Sequence, residues 1–347
     1  MTAEILFALR HQSPAKILRN VRAMKSARAP LRGYVTTNCF WTLLDVGLID
    51  RLATEGTIDI ERFCDERGFD PMIMGEVCLY LSRLGYLVLD GQRVTLTRKG
   101  RRFWNDSQGV LSIFFAYEEY FGSLRRLLRK EVDLSDIERR NQYVARGFRE
   151  TGPRLTFDVM GKLIGPMGVE GVVELGCGNI DLSSFLARSY EGMRFLGIDW
   201  DETFLEQARR TIREQRLDGR VELLAHDIFG LSASQHDFSP YQLVTAIDLF
   251  HGYFIEGRQK LLDLFETLKQ TFAGKSFLFS EVCLPDEDKM HRLSYPHVEH
   301  ELFHALTGQK TFKEGELESL LQESGFKNVQ TWSVRNLGAR IFLRFDA

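Results

Sequence analysis

The 347-residue chain is poor in cysteine and has no long apolar run. Its five cysteines, Cys39, Cys64, Cys78, Cys177 and Cys283, are odd in number and widely spaced, with no CxxC pair. That argues against a disulfide framework or a thiolate zinc site and fits a reducing, cytoplasmic compartment. The longest nearly apolar stretch, residues 109–117, falls far short of the ~20 residues that span a bilayer. The opening MTAEILFALRHQSP has no basic segment followed by a long apolar core, so no signal peptide is expected. An excess of one charge is missing too. The 45 basic and 48 acidic residues leave a net charge of −3, so the overall balance marks neither nucleic acid nor an anionic membrane as a partner.

What remains is the composition of an ordinary folded protein, 44% hydrophobic and 27% charged, with 26 phenylalanines to fill cores. Its length suits two or three domains. Three segments are expected: residues 1–105, 106–165 and 166–347.

In the first segment, Phe40, Leu43, Leu44, Val46, Leu48, Ile49 and Leu52 recur at helical spacing. Asp70 and Pro71 open a second helical pattern as N-cap and first-turn proline, and Gly85 closes it. Two short alternating runs then flank Asp90-Gly91, a strong hairpin signal. Helices followed by a two-stranded ribbon describe a winged-helix module over residues 30–105. Its second helix carries Arg83 and otherwise mostly apolar residues, which cannot read base edges. Arg93, Arg98, Lys99, Arg101 and Arg102 of the wing would touch phosphates without reading sequence. Packing and dimerisation suit the module better than DNA. Residues 106–165 read as helices.

From residue 171 strand and helix alternate. The strands are GVVEL, RFLGID, RVELLAHD, YQLVTAID and SFLFSEV, with helices over 182–189, 202–215 and 256–272. That is an α/β fold with an open, mostly parallel sheet, and two further strands follow at the end of the chain. The first strand runs through Glu174 into Gly176-Cys177-Gly178 and a helix, where glycines permit a tight turn and close approach of a ligand. Asp199 ends the second strand, where an acid can hold ribose hydroxyls, and Asp227 ends the third.

The ordered set ELGCGN, GIDW and AHDIF resembles the class I S-adenosylmethionine-dependent methyltransferases. The winged-helix front and the final strand pair resemble their O-methyltransferase-like branch, which forms intertwined homodimers. The likeness spans nearly the whole chain. It departs at Ile180, where the family often has a third glycine, and Asp181 occupies the last glycine position of a dinucleotide GxGxxG. The resemblance implies a Rossmann-like sheet with a C-terminal antiparallel strand. It implies that Glu174, Gly176 and Gly178 cradle the methionine part of S-adenosylmethionine, that Asp199 holds the ribose, and that Asp227 holds the adenine amine.

Five of the eight histidines fall between residues 251 and 304. Asp248 and His251 follow the fourth strand at a spacing of three, and His297, His300 and His304 form one helical stripe after Pro296. By the resemblance, His251 stands at the general-base position of the O-methyltransferases and His300 where they often carry an active-site Asp. Two chemistries compete. In one, His251 takes a proton from a phenol or hydroxyl as its oxygen is methylated. In the other, the favoured one, Asp248, His251 and His300 hold one divalent metal (Zn, Fe, Ni or Mn), with His297 or His304 as the alternative third ligand. The metal would chelate a 2-oxo acid and ease enolisation, so that its β-carbon is methylated. Metal-bound hydroxide or a pocket tyrosine such as Tyr295 would accept the proton. This second chemistry resembles the metal-dependent α-keto acid C-methyltransferases, which supply β-methylated amino acids to peptide natural products. Phe114, Phe115, Tyr117, Tyr120 and Phe121 suggest an aromatic lid, and an inward Glu118 or Glu119 would partner a cationic substrate tail.

Overall fold

A computed structural model describes residue 7 and residues 10–254, 256–285, 287–290, 296–334 and 340–347. The chain separates into two units, Met1–Ser112 and Ile113–Ala347.

Unit 1 begins with a long helix, α1 (Pro14–Asp45), capped by the Ser13 side chain accepting from Lys16 N–H. Its last turns bury Phe40, Leu43 and Leu44; the earlier turns are largely exposed. α2 (Leu48–Glu55), β1 (Thr57–Asp59) and α3 (Ile60–Asp65) follow. The Asp70 carboxylate then accepts from Met72 and Ile73 N–H to start α4 (Pro71–Arg83), as the Asp-Pro pair foretells. β2 (Leu87–Asp90) and β3 (Arg93–Leu96) pair antiparallel across Gly91, whose φ of 57° supplies the turn. Strand β1 adds to the far edge of β3, so the sheet has three strands rather than a bare ribbon. The wing also ends earlier than expected. Arg98, Lys99, Arg101 and Arg102 lie in the first five residues of α5 (Arg98–Phe115), not on a strand.

Unit 2 opens with α6 (Glu118–Leu128), α7 (Asn141–Gly152) and α8 (Asp158–Ile164). Then come β4 (Gly171–Leu175), α9 (Asp181–Ser189), β5 (Arg194–Asp199), α10 (Glu202–Glu214), β6 (Val221–Ala225) and β7 (Leu243–Ile247). The chain continues through α11 (His251–Phe254), α12 (Arg258–Thr271), β8 (Ser276–Leu284), α13 (His297–Leu306), β9 (Phe312–Lys313), α14 (Glu316–Glu323), β10 (Lys327–Val334) and β11 (Arg340–Asp346). The sheet order is β10-β11-β8-β7-β4-β5-β6, with β9 beside β8. Strands β4 to β8 pair in parallel, and β10 and β11 close the edge antiparallel. This is the expected α/β fold.

Successive strand residues serve opposite layers. Val173 and Leu175 of β4 join Phe265, Phe277 and Phe345 on one face, and Val172 joins Phe195 and Leu205 on the other. Each such side chain contributes about 1.5–3 kcal/mol. The strand order reverses between β4 and β7, so a crevice opens at the carboxyl ends of the central strands.

Candidate functional site

Two groups of residues meet at that crevice. The first is the turn after β4. Gly176 has φ +61°, and a Cβ there would sit 2.7 Å from Leu249 Cδ1. Alanine would therefore be strained by the left-handed backbone and would push the Leu249 side chain aside. Gly178, at φ +50°, donates its N–H to Asp199 Oδ2 at 2.9 Å, and Asp199 Oδ1 accepts from Asp201 N–H at 3.0 Å. One carboxylate thus ties the glycine turn to the end of β5. Ile180 also has positive φ, +55°, although it is β-branched and wholly buried. The residue standing where the family often has glycine keeps a backbone that glycine would adopt without strain.

Glu174 is buried beneath this turn and accepts from both the backbone N–H and the hydroxyl of Ser183. Burial pushes its carboxyl up to about 7. Burial likewise raises Asp181 to about 6. A cavity of about 390 Å³ runs over the turn, walled by Glu174, Gly176, Gly178, Asp199, Asp248 and Tyr253. Asp227 behaves differently. Its exposed carboxylate caps the short turn Ile228–Gly230 by accepting from Phe229 N–H at 3.0 Å. The adjacent His226 and Ile228 line the cavity instead. The cap engages Oδ1 of the Asp227 carboxylate. Asp201 and Trp200 also line the cavity, and the sequence reading missed both.

The second group lies past β7 and β8. Asp248 has φ +50° and gives both carboxylate oxygens to Arg340, at 2.6 Å to Nη1 and 2.5 Å to Nη2. Both side chains are more than nine-tenths buried. His251 places Nδ1 2.7 Å from Glu281 Oε1. Glu281 is fully buried in β8 and also accepts from Phe250 and Val282 N–H. An ionised carboxylate only accepts, so His251 carries its proton on Nδ1 and, when neutral, keeps a lone pair on Nε2. Burial works to lower the His251 pKa, but the charge and hydrogen bond of Glu281, with Asp248 behind, raise it overall.

His297, His300 and His304 are all buried on α13. His304 Nδ1 donates to the His300 carbonyl at 2.8 Å, which fixes its tautomer. Its ring meets His300 at 4.0 Å and His251 at 4.9 Å between centroids. Burial, then the proximity of His251, pushes His304 down to about 4. Burial and then His304 push His300 well below the ordinary imidazole value. Both rings are neutral at pH 7.

Among the described residues, the set with metal-ligand spacing is Asp248, His251 and Glu281, whose ligand atoms lie within 4.8 Å of one another. Two of the three expected ligands, Asp248 and His251, are in this set with Glu281, and His300 is not. The fit to a cation is poor. Asp248 is engaged by Arg340, His251 Nδ1 by Glu281, and the buried guanidinium adds positive charge beside the carboxylates. As folded, this is an ion-pair network. Tyr295 lies outside the described residues. Glu118 pairs with Arg140 at 3.3 Å and Glu119 is exposed, so neither is left to meet a cationic tail. Phe114, Tyr117 and Phe121 pack on Phe303, with Tyr117 buried, Phe114 half-buried and Phe121 at the surface.

Residues 172–270 match the family model described as a methyltransferase domain. No curated protein sequence matches the chain. Solved structures do. The mitomycin 7-O-methyltransferase MmcR is similar at 14% identity and TM-score 0.69, over 95% of this chain and 100% of that one. PigF with SAH is similar at 16% and 0.68, over 93% and 99%. An O-methyltransferase family protein from Burkholderia thailandensis is similar at 15% and 0.66, over 94% and 97%. The glycine turn, the strand order and the family match together make this chain an enzyme with a class I S-adenosylmethionine-dependent methyltransferase domain, in a fold shared with O-methyltransferase structures.

Proposed function

We propose that the chain methylates an oxygen of a small molecule, a phenol or hydroxyl, with His251 as proton acceptor. The observation that carries the reading is the His251–Glu281 pair, 2.7 Å apart and buried at the carboxyl end of the sheet. A carboxylate behind Nδ1 holds the ring in one tautomer and stabilises the imidazolium that forms once Nε2 takes the substrate proton. Glu174, Gly176, Gly178 and Asp199 would hold S-adenosylmethionine, because the glycine turn leaves room that a Cβ would fill. When bound, that cofactor supplies an electrophilic methyl group on a sulfonium. His251 would take the proton of the substrate oxygen as that oxygen accepts the methyl group and the sulfonium leaves as a neutral thioether, and buried neutral His300 and His304 add no competing charge.

A second reading, methylation of the β-carbon of a 2-oxo acid on a divalent metal, draws on the close spacing of Asp248, His251 and Glu281. It would require Asp248 to leave Arg340. The test is a panel of phenols and 2-oxo acids, each run with and without chelator. Methoxy products formed equally in chelator support the first reading. Products methylated on carbon, lost in chelator and restored by metal, would replace it with the second. Pairing with a second copy through unit 1 belongs to the same proposal, supported by exposed Met24, Leu31 and Tyr34 on α1. Sedimentation of the full chain checks it.

A further inference from the structure

The balanced overall charge hides a segregation in unit 1. α1 carries Lys16, Arg19, Arg22, Lys25, Arg28 and Arg32, and its only acid is the terminal Asp45. Lys25, Arg28, Ala29, Arg32, Gly33, Thr36 and Thr37 recur at three- and four-residue steps and form one helix face. That face is a wall of a cleft of about 920 Å³, completed by Arg83 and Leu84 at the end of α4, Tyr86, and Lys99 and Phe103 of α5.

None of the twelve lining residues is acidic. None of the five cations forms an ion pair among the described residues. Elsewhere in unit 1, by contrast, Arg51 bridges Glu55 and Glu66 and Arg62 pairs with Glu66. The small Ala29 and Gly33 keep the wall low; a Cβ on Gly33 would meet nothing within 4 Å. The opposite wall is fixed by packing. A Cβ at Gly100 would lie 2.0 Å from the Tyr86 carbonyl, so glycine is what lets α5 close on Tyr86. Lys99 then stands 4.1 Å over the Tyr86 ring and donates to the Leu84 carbonyl.

We propose that this cleft binds a compact polyphosphate: several linked phosphate groups held by Arg28, Arg32, Arg83 and Lys25, with Thr36 and Thr37 hydroxyls beside them. Arginine forks match phosphate oxygens two at a time, and five unpaired cations around one concavity repel one another until an anion joins them. The concave shape favours a compact ligand over a duplex, and α4 lacks base-reading side chains. Met24 and Leu31 repeat on a different face of α1 from Lys25 and Arg32, so a dimer seam there leaves the cleft open.

The test is calorimetric titration of the full chain with inorganic tripolyphosphate and with ATP, at low and at physiological salt. Both should bind, more weakly as salt rises. Arg28→Ser/Arg32→Ser should weaken both by about tenfold or more, while Arg28→Lys/Arg32→Lys, which keeps the charge, should recover part of the loss. Both arginines are exposed, so an unchanged melting midpoint of the apo-protein verifies the fold. Equal affinity for the two probes assigns the site to phosphate chains as such; tighter ATP assigns it to nucleotides, with a ring wall at Tyr86 and Phe103. No binding at low salt, or binding untouched in the serine variant, overturns the proposal. So does a duplex DNA that binds through the same arginines and that tripolyphosphate does not displace.

Discussion

The floor of the cavity proposed for the cofactor and the histidine cluster beside it sit on the same sheet but are built from different material. The floor is backbone: glycines at positive φ, N–H groups on Asp199, and a buried Glu174 against Ser183. The cluster is side chain: His251 on Glu281, Asp248 on Arg340, and His304 against both His300 and His251. Backbone geometry depends on neighbours a few residues away. The ion pairs join residues 30 and 92 positions apart. Damage to the floor should therefore appear in cofactor affinity, and damage to the cluster in turnover.

His251→Ala should give the largest effect. Loss of a positioned base costs about 10²–10⁴-fold in turnover. Cofactor affinity should stay within about twofold, because His251 is not among the walls of the cavity. A variant that lost affinity instead would erase the division between the two regions.

Glu281→Gln should cut turnover less and move its pH dependence. Glu281 holds the His251 pKa up, and only the neutral imidazole accepts a proton. Its removal should shift the acidic limb of the rate profile to lower pH, while leaving a buried amide with imperfect partners. A limb that stayed in place would mean that Glu281 supports the fold and not the base.

Gly176→Ala sharpens the comparison from the other side. The left-handed backbone alone costs about 1–2 kcal/mol for a residue with a Cβ, roughly tenfold in a binding constant, and the contact with Leu249 adds to that. Cofactor affinity should fall by that factor or more, with the His251 pH limb unmoved.

The same division explains how much could be read from the sequence. Gly176, Gly178 and Asp199 were legible because a strand, a tight turn and an acid at the next strand end leave a short-range signature. Asp70-Pro71 and Asp90-Gly91 were legible for the same reason. The partners Glu281 and Arg340 were not, since nothing local links them to His251 and Asp248. A trace of Glu281 did exist. It is the lone charge in the apolar run SFLFSEVCL, and a carboxylate buried in an inner strand needs a partner. Its neighbours Phe250 and His251, 30 or so residues earlier, could be identified only from the fold. Asp227 carries no such short-range distinction: an acid after a strand caps a turn as readily as it holds a ligand, and Asp227 caps the turn Ile228–Gly230.

The smallest effect, and the most discriminating, lies in stability against pH. Glu174 in the folded apo-protein titrates near 7, above its ordinary value, so unfolding releases a proton between roughly pH 4.5 and 7. Its contribution therefore falls as pH rises through that window. His304 titrates near 4, below its ordinary value, so unfolding takes up a proton between about pH 4 and 6.5. Its contribution is complete above that window and is lost as pH falls through it. The two slopes oppose each other, each at most about 1.4 kcal/mol per pH unit, and partly cancel in the native chain. Glu174→Gln should leave the histidine slope exposed, so that the melting midpoint climbs more steeply from pH 4.5 to 6.5 than in the native protein. His304→Gln should do the reverse and flatten or invert the curve. Either substitution can lower the midpoint overall, but only the change of slope reports the proton. Slopes altered in the same direction by both variants would show that the cavity floor and the histidine cluster do not titrate as separate regions.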